Sequence, residues 1–228
     1  MLKVFIGYDS REDIAYQVCR ESLARNSSIW LDIKPIKIQD MRERDLYWRE
    51  NDPLSSTEFS FTRFLTPYLA GYDGWALFCD CDFLFRRDIA GLLGYADRTK
   101  ACVLVKHDYR PAETVKMDNK PQHLYYRKNW SSFMLFNCGH EAIRELTPDV
   151  VNESTGMYLH QFEWLDDYLI GELPITYNYL EGWYTKHDEP NPVAVHFTRG
   201  GPWFDHWKNV EYANEWLKVK EDLMIKGQ

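Results

Sequence analysis

The sequence predicts an α/β fold in which helices cover a mostly parallel sheet, and three features of the 228-residue chain lead to that prediction. First, residues 3–8 (KVFIGY) form a continuous apolar, β-prone run, which is typical of a strand covered on both faces. Second, apolar residues recur at helical spacing over residues 11–25, so the chain opens as strand, short loop and helix. Third, two more runs of the buried-strand type follow at residues 75–78 and 101–106.

Local signals predict the boundaries of the elements. Ser10 and Asp13 have the spacing of a capping box, which places the start of the first helix there. Residues 31–38 alternate apolar and polar side chains, and Pro35 indicates an edge strand because proline has no N–H to donate to a neighbour. Residues 40–57 lack a clear period and are expected to form a surface excursion. The remaining predictions are helices at 59–69, 140–146, 161–170 and 210–224, strands at 131–136 and 193–197, and a long basic loop at 107–129.

Composition limits the classes of function. The chain has 27 Lys and Arg against 35 Asp and Glu, a formal net charge of −8, which argues against broad binding to nucleic acid. No apolar run approaches the roughly 18 residues that span a bilayer, so we expect no integral membrane segment, while contact with a membrane surface stays open. Five cysteines without a C-x-x-C pair predict buried, reduced thiols and a cytoplasmic protein. Without a repeat or a Gly/Ser-rich linker, residues 1–228 are expected to form one domain.

Asp80 and Asp82 are the strongest candidates for chemistry. They follow the apolar run WALFC and stand two residues apart, so on an extended backbone their side chains share one face. Their Cα atoms would lie about 6–7 Å apart. Two carboxylates at that distance repel each other by roughly 2–3 kcal/mol at an effective dielectric constant of about 20. A divalent cation between them would remove the repulsion and could hold substrate phosphates. The alternative is that both aspartates cap the following turn.

His196 lies in VAVHFTRGGPWF, at the end of another predicted strand. As a third ligand beside two carboxylates, an imidazole favours Mn²⁺, with Mg²⁺ as the alternative ion. Gly200 and Gly201 would let backbone N–H groups approach a phosphate, and Arg199 could pair with it. The simpler interpretations are a structural histidine and an ordinary Gly-Gly turn.

The opening segment FIGYDSRED has the features of half a nucleotide site. Gly7 would permit a close approach, Tyr8 offers a ring for stacking on a base, and Asp9 could bind a ribose or a base edge. The segment has neither G-x-G-x-x-G nor the P-loop pattern, so it does not support a dinucleotide site or a P-loop. Arg63 places one cation on an otherwise apolar helix, where it is either a surface arginine or a phosphate ligand.

Together, these residues resemble the GT-A glycosyltransferases, and most closely glycosyltransferase family eight, which includes glycogenin and bacterial lipopolysaccharide galactosyltransferases. The similarity covers most of the chain. It comprises Gly7-Tyr8-Asp9, Arg63 about seventeen residues before the acidic motif, FCDCDFLF in place of the family's D-x-D, and HFTRGGPW at its H-F-x-G-x-x-K-P-W. The segments GYDSRE, STEFSFTRF and KNWSSFMLFN also look like a bacterial subgroup of that family. The resemblance implies a single Rossmann-like α/β/α domain with a mixed, mostly parallel sheet.

By that resemblance, Asp80, Asp82 and His196 would bind Mn²⁺ and, through it, the diphosphate of a nucleotide sugar, most simply a UDP-sugar. The family's D-Q-D element falls on residues 165–167, so Asp166 and Asp167 would stabilise a cationic sugar or orient the acceptor. The implied reaction transfers a hexose to a carbohydrate, glycolipid or other hydroxyl acceptor with retention of the anomeric configuration. The other implied donor contacts are Gly7, Tyr8, Asp9, Arg63, Cys81, Asn129, Ser131, Arg199, Gly200 and Gly201.

Two departures from the family pattern matter. The lysine before P-W is Gly201 here, so phosphate neutralisation would fall to Arg199, to backbone amides or to a loop lysine. Trp130 occupies the position of a family asparagine, which leaves the donor sugar unassigned.

Three other functions compete with this interpretation. A sugar nucleotidyltransferase needs a glycine-rich basic loop after its first strand, whereas GYDSREDIAY has one glycine and an acidic balance. A non-catalytic nucleotide- or carbohydrate-binding module has no need of a metal at a leaving group, so the presence of Asp80, Asp82 and His196 argues against it. A metal-dependent phosphohydrolase of the two-metal type would need a second cluster of ligands, which is not evident in the sequence.

Aromatic residues are unusually frequent, with 9 Trp, 15 Tyr and 12 Phe making up 16% of the chain. Many of these rings are expected in the core. A late group stands close in sequence to the proposed site, and because sugar rings pack their C–H faces on aromatic planes, we expect the acceptor there. This group is Tyr177, Tyr179, Trp183, Tyr184, Trp203, Phe204 and Trp207.

Overall fold

The computed structural model describes residues 1–50, 55–109 and 126–226. Its strands are β1 (Leu2–Gly7), β2 (Leu31–Ile36), β3 (Trp75–Cys79), β4 (Phe83–Phe85), β5 (Cys102–Leu104), β6 (Phe133–Asn137), β7 (Ile170–Glu172), β8 (Tyr179–Leu180) and β9 (Ala194–His196). Its α-helices are α1 (Asp13–Arg25), α2 (Ile38–Glu43), α3 (Thr66–Leu69), α4 (Pro148–Glu153), α5 (Gly156–His160) and α6 (Ala213–Lys226). Short 3-10 helices connect several of these elements, at Ser10–Glu12, Thr62–Leu65, Ile89–Tyr95, Trp130–Ser132, Glu141–Glu145, Asp167–Leu169, Ile175–Tyr177 and Asp205–Trp207.

A six-stranded sheet with the strand order β2-β1-β3-β6-β5-β7 forms the centre of the molecule. β1 is parallel to β2 and β3, and β5 is parallel to β7, whereas β6 is antiparallel to both β3 and β5. The carboxyl ends of β1, β3 and β5 therefore lie at one edge of the sheet, which we call the carboxyl edge. The predicted mixed, mostly parallel sheet is confirmed, and β2 with its Pro35 is an edge strand as expected.

A smaller sheet with the order β4-β9-β8 stands beside the first. β4 pairs antiparallel with β9, and Phe83 lies opposite His196 in this register. The N–H of Phe197 donates to the carbonyl of Asp82 at 3.0 Å. Because Asp82 directly precedes β4 and His196 ends β9, the pairing brings the histidine beside the acidic turn.

Two apolar clusters hold these layers together. The larger one surrounds the central sheet, and the smaller one lies where α1 and α6 pack on the second sheet and on each other. Val18, Leu84, Val195 and Trp216 are the buried centre of the smaller cluster. All five cysteines are buried and free, as predicted. Within the described ranges, every helix falls short of the length and apolar character that crossing a bilayer requires.

The predicted capping box at the start of the first helix is wrong. Asp9 caps instead, because its carboxylate accepts the N–H of Arg11 at 3.0 Å and thereby starts the 3-10 turn Ser10–Glu12 ahead of α1. The Ser10 hydroxyl donates to Glu58 at 2.6 Å. A carboxylate one residue earlier accepts the N–H of Arg11, which leaves the serine hydroxyl for another partner.

The predicted helix at 161–170 is also wrong. Phe162 has a φ of 58°, outside the helical region, and the chain continues through the 3-10 helix Asp167–Leu169 into β7. The helix expected at 140–146 is a single 3-10 turn, Glu141–Glu145. These segments carry enough apolar residues for a helix, but Ile143, Phe162 and Leu165 pack into the larger apolar cluster from irregular backbone.

Other differences concern short elements. The helix expected at 59–69 is a 3-10 turn followed by α3, and α2 overlaps the start of the segment expected as a surface excursion at 40–57. β7 and β8 were not predicted, because strands of three and two residues carry too little alternating pattern to be recognised. Of the basic loop predicted at 107–129, residues 110–125 lie outside the described residues.

Gly7 ends β1 where a buried aromatic ring lies against it. A Cβ built on Gly7 would lie 2.4 Å from Cδ2 of Phe59, and Phe59 is only 1% exposed. The close approach that the sequence attributed to Gly7 is therefore made by a core side chain of the protein itself.

We predict that Gly7→Ala destabilises the protein by about 1–3 kcal/mol, because the added methyl group overlaps a buried ring. Urea unfolding followed by tryptophan fluorescence measures this change. Gly139→Ala is the matched control, since a Cβ there meets no atom within 4 Å. A Gly7→Ala protein as stable as the wild type would contradict the packing argument.

Candidate metal centre

Asp80, Asp82 and His196 come together at the carboxyl edge of the central sheet. The two aspartates lie in the turn that links β3 to β4, and His196 is the last residue of β9. One ligand atom from each side chain lies within 4.8 Å of the other two. In the part of the chain that the structure describes, no other group of three His, Cys, Asp or Glu side chains is close enough to share a metal ion.

Arg63 compensates the charge of Asp80. Its Nη1 donates to Asp80 Oδ1 at 2.8 Å, and its guanidinium lies 5.2 Å from the ring centres of both Phe59 and Phe78. Arg63 is only 5% exposed, so the interpretation of a surface arginine is wrong. Its Nη1 also donates to the carbonyl of Ser131 at 2.9 Å, which ties the segment before β6 to the acidic turn.

His196 lies beside Asp82, as Arg63 lies beside Asp80. Its Nε2 lies 3.3 Å from Asp82 Oδ1, and its ring stacks on Phe83 with 4.5 Å between ring centres. Burial raises the pKa of Asp82, but the nearby His196 outweighs burial, so this pKa lies below its ordinary value. Asp82 Oδ1 is buried, and no donor within the described residues forms a hydrogen bond with it.

These features fit a divalent cation. Two carboxylates and one imidazole form a ligand set that suits Mn²⁺, whereas Mg²⁺ prefers ligands that are all oxygen atoms. A buried carboxylate oxygen without a hydrogen bond is an acceptor that a cation would satisfy. Asp80, Asp82 and His196 are therefore the residues that could hold a metal.

Tyr8 and Asp9 lie at the same edge, directly after β1. Asp9 is fully buried, and its carboxylate accepts from Arg11 Nε at 2.9 Å and from the N–H of Glu58 at 3.1 Å. Burial raises the pKa of Asp9, but these hydrogen bonds outweigh burial and lower it below its ordinary value. The Tyr8 hydroxyl donates to Asp13 at 2.8 Å, and this bond raises the pKa of Tyr8 to about 12.

Asn129 and Ser131 lie in the segment that leads into β6 at the carboxyl edge. Asn129 has a φ of 65°, its Oδ1 accepts from the Thr198 hydroxyl at 3.3 Å, and its buried Nδ2 has no hydrogen-bond partner among the described residues. The Ser131 hydroxyl lies 2.8 Å from Nδ1 of His160. The structure thus connects Asn129 to the turn after His196.

Arg199 lies in that turn beside a buried carboxylate. Its Nη2 donates to Glu181 at 3.3 Å, and its guanidinium lies 5.2 Å from the centre of the Trp207 ring. Gly182, next to this guanidinium, has a φ of 73°, a backbone conformation that favours glycine. In the same turn, Gly200 has a φ of 135° and Gly201 packs against the ring of Trp203.

Asp166 and Asp167 do not join the metal centre. Both are exposed, and Asp167 forms an ion pair with Arg127. They precede β7, whose first residue pairs with Cys102 at the start of β5, so that strand begins at the edge opposite the carboxyl edge. Cys81, between the two aspartates of the turn, is 2% exposed, and burial raises the pKa of its thiol.

The late aromatic residues differ in how much of each ring is exposed. Tyr177 and Tyr179 are 6% and 0% exposed, so their expected place on an acceptor surface is wrong: they belong to the core. Trp203 packs on Trp216 with 5.4 Å between ring centres. Trp183 is 38% exposed and is the member of this group with a large face in solvent. Tyr184, Phe204 and Trp207 are half-buried.

A comparison with known proteins identifies the family. The chain is 52% identical over 223 residues to protein CDI of Arabidopsis thaliana, an alignment that covers 96% of this chain and 86% of the relative. The chain belongs to the family of protein CDI. No family model matches the sequence.

Solved structures show that this member of the CDI family has the GT-A fold. The bifunctional glycosyltransferase WbbM has a TM-score of 0.67 at 14% identity, and GlyE of Streptococcus pneumoniae has a TM-score of 0.63 at 16% identity. Each alignment covers 96% of this chain, which spans 49% of WbbM and 60% of GlyE. The galactosyltransferase LgtC, solved with donor and acceptor sugar analogues, has a TM-score of 0.57 at 10% identity, with 97% of this chain and 96% of LgtC covered.

Glu12 is a site residue that sequence reasoning missed. It is 7% exposed, and burial, followed by the charges of Asp82 and Asp9, raises the pKa of its carboxyl to about 8. A helical pattern could have found it, because Glu12, Ala15 and Cys19 share the buried face at the start of α1. An acid with so high a pKa beside two carboxylates marks this edge as a place that favours positive charge.

We predict that Glu12→Gln makes the metal-free protein at least about 1 kcal/mol more stable at pH 8 and no more stable at pH 4. The pKa of Glu12 is about 8 in the folded protein, whereas an unperturbed Glu titrates near 4.3. The folded state therefore holds this proton more tightly, and the wild type loses stability as the pH rises between these values.

Urea unfolding at both pH values, in the presence of a chelator, measures this difference. Glu153→Gln is the control, because Glu153 is exposed on α4. A gain for Glu12→Gln that is the same at pH 4 and pH 8 would contradict the assignment of a raised pKa.

Proposed function

We propose that this protein is a metal-dependent glycosyltransferase that moves a hexose from a UDP-sugar to a hydroxyl group of a carbohydrate or glycolipid, with retention of the anomeric configuration. The observation that carries the proposal is the group Asp80, Asp82 and His196 at the carboxyl edge of a GT-A sheet. A fold neighbour solved with donor and acceptor sugar analogues supports transfer between sugars. The sequence motifs favour glycosyltransferase family eight as the wider group.

The donor would bind along the carboxyl edge, where ligands of layered α/β proteins bind. Asp80, Asp82 and His196 would hold Mn²⁺, or Mg²⁺ as the alternative, and the cation would supply positive charge to the leaving diphosphate. Tyr8 would stack on the base, with Asp9 beside it. This arrangement is supported by their position directly after β1, next to the acidic turn that follows β3.

The sugar and phosphate groups would meet a second set of residues. Arg63 would contact the donor, and its buried Nε, which has no hydrogen-bond partner in the described part of the chain, supports that role. Asn129 would bind the sugar through its free Nδ2, with Ser131 beside it. Arg199 and the amides of Gly200 and Gly201 would neutralise and bind phosphate.

Catalysis needs a group that stabilises the cationic sugar or orients the acceptor, and Asp166 and Asp167 are the residues proposed from the sequence. In the structure Asp167 pairs with Arg127 outside the metal centre. For this role, the pair would have to open so that a carboxylate can face the sugar.

We predict that UDP binds at least tenfold more tightly with Mn²⁺ than without it, and that Asp80→Asn and Asp82→Asn each abolish this gain. Both substitutions remove a negative ligand of a hard cation while keeping the size of the side chain. Isothermal titration calorimetry with UDP, with and without Mn²⁺, measures the effect.

Asp73→Asn is the control, because Asp73 is exposed in the turn before β3, at the other end of the same strand. Wild-type binding of UDP and metal by both site variants would overturn the assignment. Metal-dependent release of the nucleotide from a panel of nucleotide sugars then separates an enzyme from a binding module, which would bind without turnover.

We predict that Trp183→Ala lowers the rate of transfer to a sugar acceptor at least fivefold and changes UDP affinity by less than twofold. Its exposed ring is a face on which the C–H groups of an acceptor sugar can pack. Kinetics with varied acceptor and calorimetry with UDP measure the two effects. Trp30→Ala is the matched control, as Trp30 is 75% exposed at the opposite edge of the sheet. A larger loss of UDP binding than of acceptor use would contradict this role.

A further inference from the structure

A chain of buried hydrogen bonds leads away from His196 on the side opposite the acidic turn. His196 Nδ1 lies 3.1 Å from Asn178 Oδ1, Asn178 Nδ2 lies 2.9 Å from Ser132 Oγ, and Ser132 Oγ lies 2.7 Å from the carbonyl oxygen of Asn129. His196, Asn178 and Ser132 are 2%, 0% and 2% exposed. Because water is excluded from these groups, they must satisfy one another.

The last member of the chain sets the direction of every bond in it. The carbonyl of Asn129 can only accept, so the Ser132 hydroxyl donates to it and has no hydrogen left for Asn178. Asn178 must therefore donate its amide N–H to Ser132, which turns its carbonyl oxygen towards His196. A carbonyl oxygen only accepts, so the hydrogen between Asn178 and His196 belongs to Nδ1 of the histidine.

We infer that Asn178 is a positioning residue that holds His196 as the Nδ1–H tautomer, with the lone pair of Nε2 directed at the acidic turn. A metal ion binds imidazole through such a lone pair, and the group that holds the other ring nitrogen decides which nitrogen offers it. The inference rests on the proposed function and deepens it, because it explains how the protein directs the Nε2 lone pair of His196 towards the cation.

The surroundings of the ring make this control necessary. Nε2 lies 3.3 Å from Asp82 Oδ1, and in a neutral histidine that carboxylate favours an N–H over a lone pair at this position. The opposite tautomer would therefore donate to Asp82 and could not bind a metal. Stacking on Phe83 fixes the plane of the ring but not the position of its hydrogen. The hydrogen bond between Nδ1 and Asn178 is therefore the interaction that opposes the preference of Asp82 for an N–H at Nε2.

The same chain joins two parts of the site. Asn129, whose carbonyl ends the chain, also accepts from the hydroxyl of Thr198 two residues after His196. The segment before β6 is thus tied to the metal-binding histidine through both Ser132 and Thr198. Asn129 is a proposed sugar contact, so the network sets its position relative to the metal centre.

The test is the tautomer of His196 in the metal-free protein, read from its ring ¹⁵N shifts by two-bond ¹H–¹⁵N NMR at a pH where the ring is neutral. The His196→Gln spectrum assigns its signals. We expect mainly the Nδ1–H form in the wild type and in Asn178→Asp, which keeps an acceptor. We expect mainly the Nε2–H form in Asn178→Leu and a larger share of it in Ser132→Ala, where the amide is free to turn over.

Mn²⁺ affinity, measured by calorimetry, is the second readout. We expect Asn178→Leu to bind Mn²⁺ about 10–100-fold more weakly than the wild type, and Asn178→Asp to bind within a few-fold of it. Asn152→Leu is the matched control, because Asn152 is also buried with its amide fully hydrogen-bonded but is remote from His196 in the bonding network. It should leave both readouts at their wild-type values.

The Nε2–H form in the wild type, or an Nδ1–H form that persists in Asn178→Leu and in Ser132→Ala, would overturn the inference. If Asn178→Leu does not fold, Ser132→Ala and Asn178→Asp still decide it. Failure of the wild type to bind Mn²⁺ would instead overturn the proposed function, whereas the tautomer measurement needs neither metal nor nucleotide.

Discussion

The pairing of β4 with β9 is the constraint on which the candidate site depends. It sets Phe83 opposite His196, so the turn that ends in Asp82 meets the end of β9. Because side chains alternate between the two faces of a strand, a shift of one residue would turn His196 to the other face and leave two carboxylates without it. The buried rings that pack on Phe83 stabilise this register, so the packing of the core determines the geometry of the site.

An excess of negative charge at the carboxyl edge explains much of the surrounding structure. Asp9, Glu12, Asp80 and Asp82 converge there, although carboxylates are rarely buried without partners. Ion pairs with Arg11 and Arg63 compensate the charges of Asp9 and Asp80, and the raised pKa of Glu12 keeps its carboxyl neutral. Asp82 Oδ1 accepts no hydrogen bond from the described residues, so a cation bound there would balance the remaining negative charge.

Continuous apolar runs and one clear helical period predict the right elements, and short or irregular segments do not. β1 and β3 are continuous apolar runs and α1 has apolar residues at helical spacing, so the type and place predicted for each are correct. The helix expected at 161–170 failed because Phe162 takes a positive φ, which apolar spacing does not reveal. At the site, Asn178 had no signal at all, since it stands in an irregular turn and matters only through the partners that the fold gives it.

The sequence by itself determined the layered α/β class and the free cysteines, because these follow from local periodicity and residue chemistry. It also indicated Asp80, Asp82 and His196 as candidate ligands through their residue types and their resemblance to a family motif, whereas their meeting at the carboxyl edge depends on the pairing of β4 with β9. Only the tertiary structure decided the burial of Arg63 and Glu12, the place of Tyr179 in the core and the separation of Asp167 from the metal centre. The physical reason is that burial and charge pairing depend on residues far apart in the chain. Asp82 and Asp167 cannot be distinguished by residue type, and only the packing of the chain places one beside His196 and the other beside Arg127.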